Sequence, residues 1–226
     1  MAGTGLDGPN VKAQKALIKA SAEVGVKRYA PSEFGSIPGK QGEKAVIQEE
    51  LTKYPQLEYT LYITGLFMDY FLGSKNTSHL KKLKVFVDPD KGQAFEVPGD
   101  GNDSLVFIKI GDAAKFVAAS LDLDKWPRLG GMVGERTTYN NVIKTLEKIQ
   151  GRPDIPCMCL FMLTVLGRKY PITYRSLEEM QTRTSRWDML GLITVSGNFN
   201  NEDTLNKLLP QVKPVGLEEL LSSVLG

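Results

Sequence analysis

The sequence is poor in the residues on which several chemistries depend. Its 226 residues contain a single histidine, His79, and two cysteines, Cys157 and Cys159. Cysteines one residue apart cannot form a disulfide framework, so a cytoplasmic location is the default expectation. A Ser-His-Asp triad would have to use His79, and no G-x-S-x-G turn is present to offer its serine. A zinc site would need His79, both cysteines and a carboxylate in no recognised spacing, so no metal site is expected. In "NTSHLKK", His79 reads as a solvent-facing helix residue. The longest apolar run, residues 155–166, is too short to cross a bilayer, and the polar, glycine-rich start is no signal peptide. Excess charge is also missing. The formal net charge is +2 with the basic residues scattered, which argues against nucleic acid or a membrane as partner. The densest basic run, "HLKKLK" at 79–84, reads as a solvated helix end.

What is present suits a soluble globular chain: 42% of residues are apolar and 24% charged, and the length allows one domain or one domain with a small lobe. Ala13, Ala16, Leu17 and Ala20 recur at helical spacing, with Asn10 as cap and Gly25 as stop. "VKRYA" reads as a short strand leading into the turn-like "PSEFG". A second helix follows in "KAVIQEELTKY", with Val46, Ile47 and Leu51 near one face, and then the β-rich run 57–67. "KVFVD", "AFEVPGDGND" and "SLVFIKI" read as strands and turns. "GDAAKFVAASLDL" reads as a helix capped by Asp112, with Phe116, Val117 and Ser120 at core spacing. "ERTTYNNVIKTLEKIQG" is a helix capped by Thr137 or Thr138 and closed by Gly151. "KYPITYRS" is a short strand and "LEELLSSVL" a terminal helix. This alternation predicts an α/β protein with a parallel sheet and a smaller C-terminal lobe.

The opening "MAGTGLDGPN" contains G-x-G-x-x-G at Gly3, Gly5 and Gly8. That spacing cradles pyrophosphate only where a strand delivers the turn to a helix, and here only Met1 and Ala2 precede it. Glu23 lies at the distance of a ribose-binding acid, but at the end of a helical stretch and not after a second strand. The stretch reads as an entry loop.

"GVKRYAPSEFG" at 25–35 resembles the NmrA-like and isoflavone-reductase-like family of Rossmann-fold proteins. The resemblance continues through "KAVIQEEL", "LEYTLYITGLFMDYFL", "VPGDGN", "VFIKIGDAAKFVAASLDLDKWP" and "GGMVGERTTYNNVI". It implies an incomplete Rossmann-like parallel sheet flanked by helices, with a smaller C-terminal α/β substrate lobe. Residues 1–75 would be the remaining dinucleotide-binding part, and 76–226 the substrate lobe with returning sheet elements. Family members start with a strand, a glycine loop and further β-α-β units, so this chain is expected to begin beyond the pyrophosphate cradle. Residues 152–167, between two Gly-Arg pairs, look like an insertion. It is either a product of a mis-spliced or mis-predicted gene model or a genuine short buried segment.

The resemblance implies an NADPH-dependent oxidoreductase that reduces a small polyketide or aromatic natural product in secondary metabolism. The cofactor would be NADP(H), bound by Pro31, Ser32, Phe34, Lys44, Thr64, Gly65 and Phe67. Ser32 and Glu33 either edge the nicotinamide pocket or merely shape the strand exit. The implied catalytic residue is Lys44, with Lys40 as competitor. In a partly apolar pocket Lys44 either exchanges a proton with a developing alkoxide or stays charged and hydrogen-bonds the nicotinamide ribose. None of the eight tyrosines has a lysine four residues later, which excludes the usual Y-x-x-x-K pair and fits a lysine-centred variant. Gly65 stands where the family often has asparagine, so one polar cofactor contact is in doubt. Phe67, Tyr70 and Phe71 suggest an aromatic-lined lobe. The alternatives are a non-catalytic dinucleotide sensor acting on a protein partner, or an inactive shortened product.

Overall fold

A computed structural model of the chain describes residues 9–39, 42–81, 83–151, 169–183 and 185–226. Gly3, Gly5, Gly8, Lys40 and the 152–167 segment with Cys157 and Cys159 lie outside the described residues. The structure is mixed α/β, as the alternation predicts. In chain order its first half holds α1 (Pro9–Glu23), β1 (Arg28–Tyr29), α2 (Glu43–Thr52), β2 (Glu58–Tyr59), β3 (Leu61–Ile63), β4 (Leu66–Phe67) and a 3-10 helix (Met68–Lys75). Then come β5 (Val87–Asp88), β6 (Gln93–Pro98), β7 (Leu105–Ile108), α3 (Ile110–Ser120), β8 (Leu129–Gly131), β9 (Glu135–Thr137) and α4 (Tyr139–Gln150). The last part holds β10 (Ile172–Arg175), α5 (Leu177–Thr182), α6 (Arg186–Val195), α7 (Thr204–Leu208) and α8 (Leu217–Leu225).

The run 57–67 organises this list. Its β2, β3 and β4 pair in parallel with β1, β8 and β7 respectively. The N–H groups of Glu58 and Thr60 donate to the carbonyls of Lys27 and Tyr29 at 3.0 and 3.3 Å. Leu61 N–H donates to the Arg128 carbonyl at 3.0 Å, and the Ile63 carbonyl accepts Met132 N–H at 2.9 Å. Successive residues of an extended chain turn their amides to opposite edges, so one run holds β1 on one side and β8 on the other. Its side chains alternate too. Leu57, Tyr59, Leu61 and Ile63 pack with Val11 and Ile18 of α1 and Ile47 and Leu51 of α2. Tyr62 packs on the other face with Phe116, Met132, Leu205 and Leu209. Covering both faces is what parallel pairing requires. A third cluster, with Phe71, Phe86, Phe107, Tyr139, Leu146 and Leu221, fills the space under α4 and α8.

β1 has only two residues, and Arg28 reinforces it. Its Nη2 donates to the carbonyls of Leu123 and Asp124, each at 2.7 Å, and its Nη1 to that of Leu121 at 3.0 Å. These carbonyls lie just past the end of α3, where orphan acceptors attract a cation. Nε completes the fork on Glu58 Oε2 at 2.7 Å. In the C-terminal part Arg175 of β10 pairs with Glu96 of β6 and Asp188 of α6.

Several local expectations need correction. The stripe Ala13, Ala16, Leu17 and Ala20 faces outward, with Leu17 58% exposed, while Val11 and Ile18 are at 1% and 0%. Counting alanines misplaced the face: α1 lies on α2, and the β-branched pair two turns apart makes that contact. Asp112 is not the cap of α3. Lys109 holds that position, and Asp112 sits in the first turn, accepting from Lys115 Nζ at 2.7 Å and Val215 N–H at 2.9 Å. Of the two candidates for α4, Thr138 is the cap and accepts Asn141 N–H at 3.2 Å, while Thr137 ends β9. His79 is exposed as expected but lies in a bend, not on a helix. The sequence reading left out α5 and α6, although each opens with a capping box, Ser176 with Glu179 and Ser185 with Asp188.

The two neighbours in α1 give a direct check. Ile18→Ala should destabilise the chain by about 2–4 kcal/mol and Leu17→Ala by less than about 0.5 kcal/mol, read by urea unfolding. A larger loss for Leu17→Ala than for Ile18→Ala would mean that α1 presents the other face to the core.

Candidate functional site

In a parallel sheet the helix-bound loops leave from the carboxyl ends of the strands, and ligand sites gather there. β1 and β3 both release their chains at this end. Pro31, buried, restricts the backbone immediately after β1. The loop then turns back at Gly35, whose carbonyl accepts two amides, Thr64 N–H at 3.2 Å and Gly65 N–H at 3.0 Å. A third segment joins from far along the chain. Ile37 N–H donates to the Asn198 carbonyl at 2.7 Å, and Val106 N–H donates to the Phe199 carbonyl at 2.8 Å.

These loops enclose a cleft of about 250 Å³ lined by Phe34, Gly35, Ser36, Lys44, Gly65, Leu66, Phe67, Tyr70 and Phe199. Four of the residues expected at the site therefore meet in one place: Phe34, Lys44, Gly65 and Phe67. Three do not line it. Pro31 is buried beneath the loop, and Ser32 is exposed with its N–H donating to Gln14 Oε1 at 3.1 Å. Thr64 is fully buried, its hydroxyl donating to the Gly65 carbonyl at 3.3 Å. Phe71, read as part of an aromatic lobe, is a core residue stacked edge-on against Phe107 at 5.5 Å.

Lys44 lies in the first turn of α2. Its Nζ donates to the Glu33 backbone carbonyl at 3.3 Å and stands 3.2 Å from Glu33 Oε2. The Glu33 side chain is only 1% exposed. Burial pushes its carboxyl above the usual carboxylate range, and the Lys44 ammonium and Gln48 pull the other way. Gln48 follows Lys44 by four residues, which places both on one face of the helix.

The aromatic walls are held from behind. Phe34, 45% exposed, stacks on Tyr62 at 5.7 Å and 24°. The Tyr62 hydroxyl bonds to Ser120 Oγ at 2.7 Å, which fixes the ring under Phe34. Phe67 and Tyr70 lie 6.4 Å apart. Burial raises the Tyr70 phenol, which keeps it a neutral donor. Among the described residues, no group of three or more His, Cys, Asp or Glu could hold a metal ion. No described helix is long and apolar enough to cross a membrane.

Gly65 settles the question raised by its position. Its φ is +64°, and a Cβ there would lie 2.1 Å from the Val106 carbonyl oxygen. The tight approach of β4 to β7 leaves no room for the asparagine side chain that the resemblance places here. The sequence reading also missed Phe199, which no local pattern marks. Its segment is brought to the cleft by two long-range backbone bonds, Val106 N–H to the Phe199 carbonyl and Ile37 N–H to the Asn198 carbonyl.

The profile of the NmrA-like family matches residues 4–154. An oxidoreductase of Botryotinia fuckeliana, BOA1, is 36% identical over 140 residues, covering 58% of this chain and 46% of its own. Pinoresinol reductase 1 of Arabidopsis thaliana is 28% identical over 161 residues, covering 66% and 48%. The chain thus spans about half the length of the curated relatives it matches. The solved apo form of AtPrR2 aligns with a TM-score of 0.69 at 24% identity, over 93% of this chain and 69% of that one. The NADP(H) complex of Citrobacter sp. triphenylmethane reductase aligns with a TM-score of 0.60 at 16% identity, over 99% and 74%. At these identities the two structures share the fold.

A substitution at the cleft floor should be costly. Gly65→Ala is expected to lower stability by more than about 2 kcal/mol, from the left-handed backbone and the clash with Val106. Thermal unfolding of the variant checks this, and an unchanged midpoint would show that the two strands can separate.

Proposed function

The chain belongs to the NmrA-like family, and on that premise we propose that it is a nicotinamide-dependent reductase. Its substrate would be a small polyketide or aromatic natural product of secondary metabolism, and its cofactor NADP(H). The observation that carries this reading is the position of Lys44, the one ammonium in the lining of a cleft whose other side chains are mostly aromatic. Relatives named as an oxidoreductase and a pinoresinol reductase support the reaction class. A shared fold with a reductase that binds NADP(H) supports the cofactor.

The cleft fits the reactive end of such a cofactor. Gly35 lies directly beside the ammonium: a Cβ there would be in van der Waals contact with Lys44 Nζ at 3.7 Å. Phe34, Lys44, Gly65 and Phe67 would hold the nicotinamide end, while the lining contains no cradle for pyrophosphate. When bound, the dinucleotide supplies the hydride. Lys44 then offers an N–H to the substrate oxygen, where negative charge grows as the carbonyl or enone is reduced. Phe34, Phe67 and Tyr70 give a flat substrate apolar surface and keep water from the reacting carbon.

Calorimetric titration of the full chain with NADPH, followed by turnover assays with pinoresinol and aromatic ketones, tests the proposal. We expect binding and NADPH oxidation, with Lys44→Ala lowering kcat by about 10²–10⁴-fold. Wild-type turnover in that variant would remove Lys44 from the chemistry. NADPH binding without turnover on any substrate would favour a dinucleotide sensor, and no binding would end the enzymatic reading for this chain.

A further inference from the structure

We propose that Glu33 is a positioning residue for Lys44. Its buried carboxylate and its own backbone carbonyl hold the Lys44 side chain at the cleft wall as an ammonium. Lys44 then serves as a hydrogen-bond donor held in place at the cleft wall. The proposal deepens the reductase reading and rests on it for the substrate's side of the contact.

Three observations carry it. First, a carboxylate 1% exposed needs a counter-charge, because burying one alone is prohibitive. Lys44 is the charged group that faces it; the other facing polar group, Gln48, is neutral, and both come from α2. Second, Nζ meets two oxygens of one residue, donating to the carbonyl at 3.3 Å and pairing in charge with the carboxylate 3.2 Å away. That fixes a long, flexible arm against the backbone of the loop. An ammonium has three donors, so the pair leaves one for the cleft. Third, Glu33 Oε2 and Gln48 Nε2 are both buried without a hydrogen bond of good geometry. Glu33 therefore depends on Lys44 for charge compensation, and a neutral amine would leave it with none.

The test needs neither cofactor nor substrate. Acylation of the full chain with N-hydroxysuccinimidyl acetate, mapped by peptide mass spectrometry, reads how firmly each lysine amine is engaged by its neighbours. Glu33→Gln should raise labelling of Lys44 several-fold, with exposed Lys12 and Lys27 unchanged, and Glu33→Asp should restore slow labelling. Equal Lys44 labelling in wild type and folded Glu33→Gln overturns the proposal.

Should Glu33→Gln fail to fold, Lys44→Met provides a second reading. Without the ammonium only Gln48 still opposes burial, and the Glu33 carboxyl is raised further, so the folded state loses stability as pH rises through that range. The urea midpoint of Lys44→Met should then fall below that of wild type at pH 8 and match it by pH 4. A gap of the same size at both pH values overturns the proposal. A failure here leaves the reductase reading standing, since turnover of Lys44→Ala is measured separately.

Discussion

Everything in this molecule answers to the hydrogen-bonding demand of one buried run, residues 57–67. Its backbone is out of reach of water on both faces, so each amide and carbonyl must find a partner in the protein. The run meets that demand by exchanging neighbours as it goes: β1, then β8, then β7. Each change brings a different part of the chain alongside. The three apolar clusters are the side-chain counterpart of these exchanges.

The cleft lies where that run comes to an end. After Ile63 the chain leaves β3, and its next two amides are satisfied by one carbonyl, that of Gly35. This pair of bonds brings the loop after β1 against the loop after β3, and Phe34 and Lys44 come with it. The next strand approaches β7 so closely that position 65 accepts only a hydrogen as its side chain. The floor is backbone, the walls are aromatic, and the single charge arrives from a helix.

Much of this was legible in the sequence because local signals and global fold agree. "KRYAPSEFG" and Lys44 marked the loop and the helix that form the wall. The β-rich run 57–67 was recognisable as strand, and Phe116, Ile47 and Leu51 as residues of the packed faces. The failures have physical reasons. Alanine and leucine at helical spacing outvoted Val11 and Ile18 in α1, because periodicity registers hydrophobicity and not the direction of the nearest partner. Thr64, Ser32 and Pro31 lie beside the cleft in sequence, but a strand end presents only some of its neighbours to the open side. Phe199 and the intolerance at Gly65 arise from contacts between segments about forty or more residues apart, which no local window carries.

Arg28 gives the architecture a further property. A strand of two residues has too few ladder bonds to fix the loop that follows it, and the arginine fork supplies the rest by gripping three carbonyls past the end of α3. The loop that bears Phe34 and leads to Lys44 is thereby clamped at its root, and the bonds at Gly35 and Ile37 hold it again further along. Because these bonds run through backbone atoms, exposed side chains on the loop can change in size or polarity without disturbing the mounting. A lineage could retune what the cleft admits while the fold beneath it stays in place.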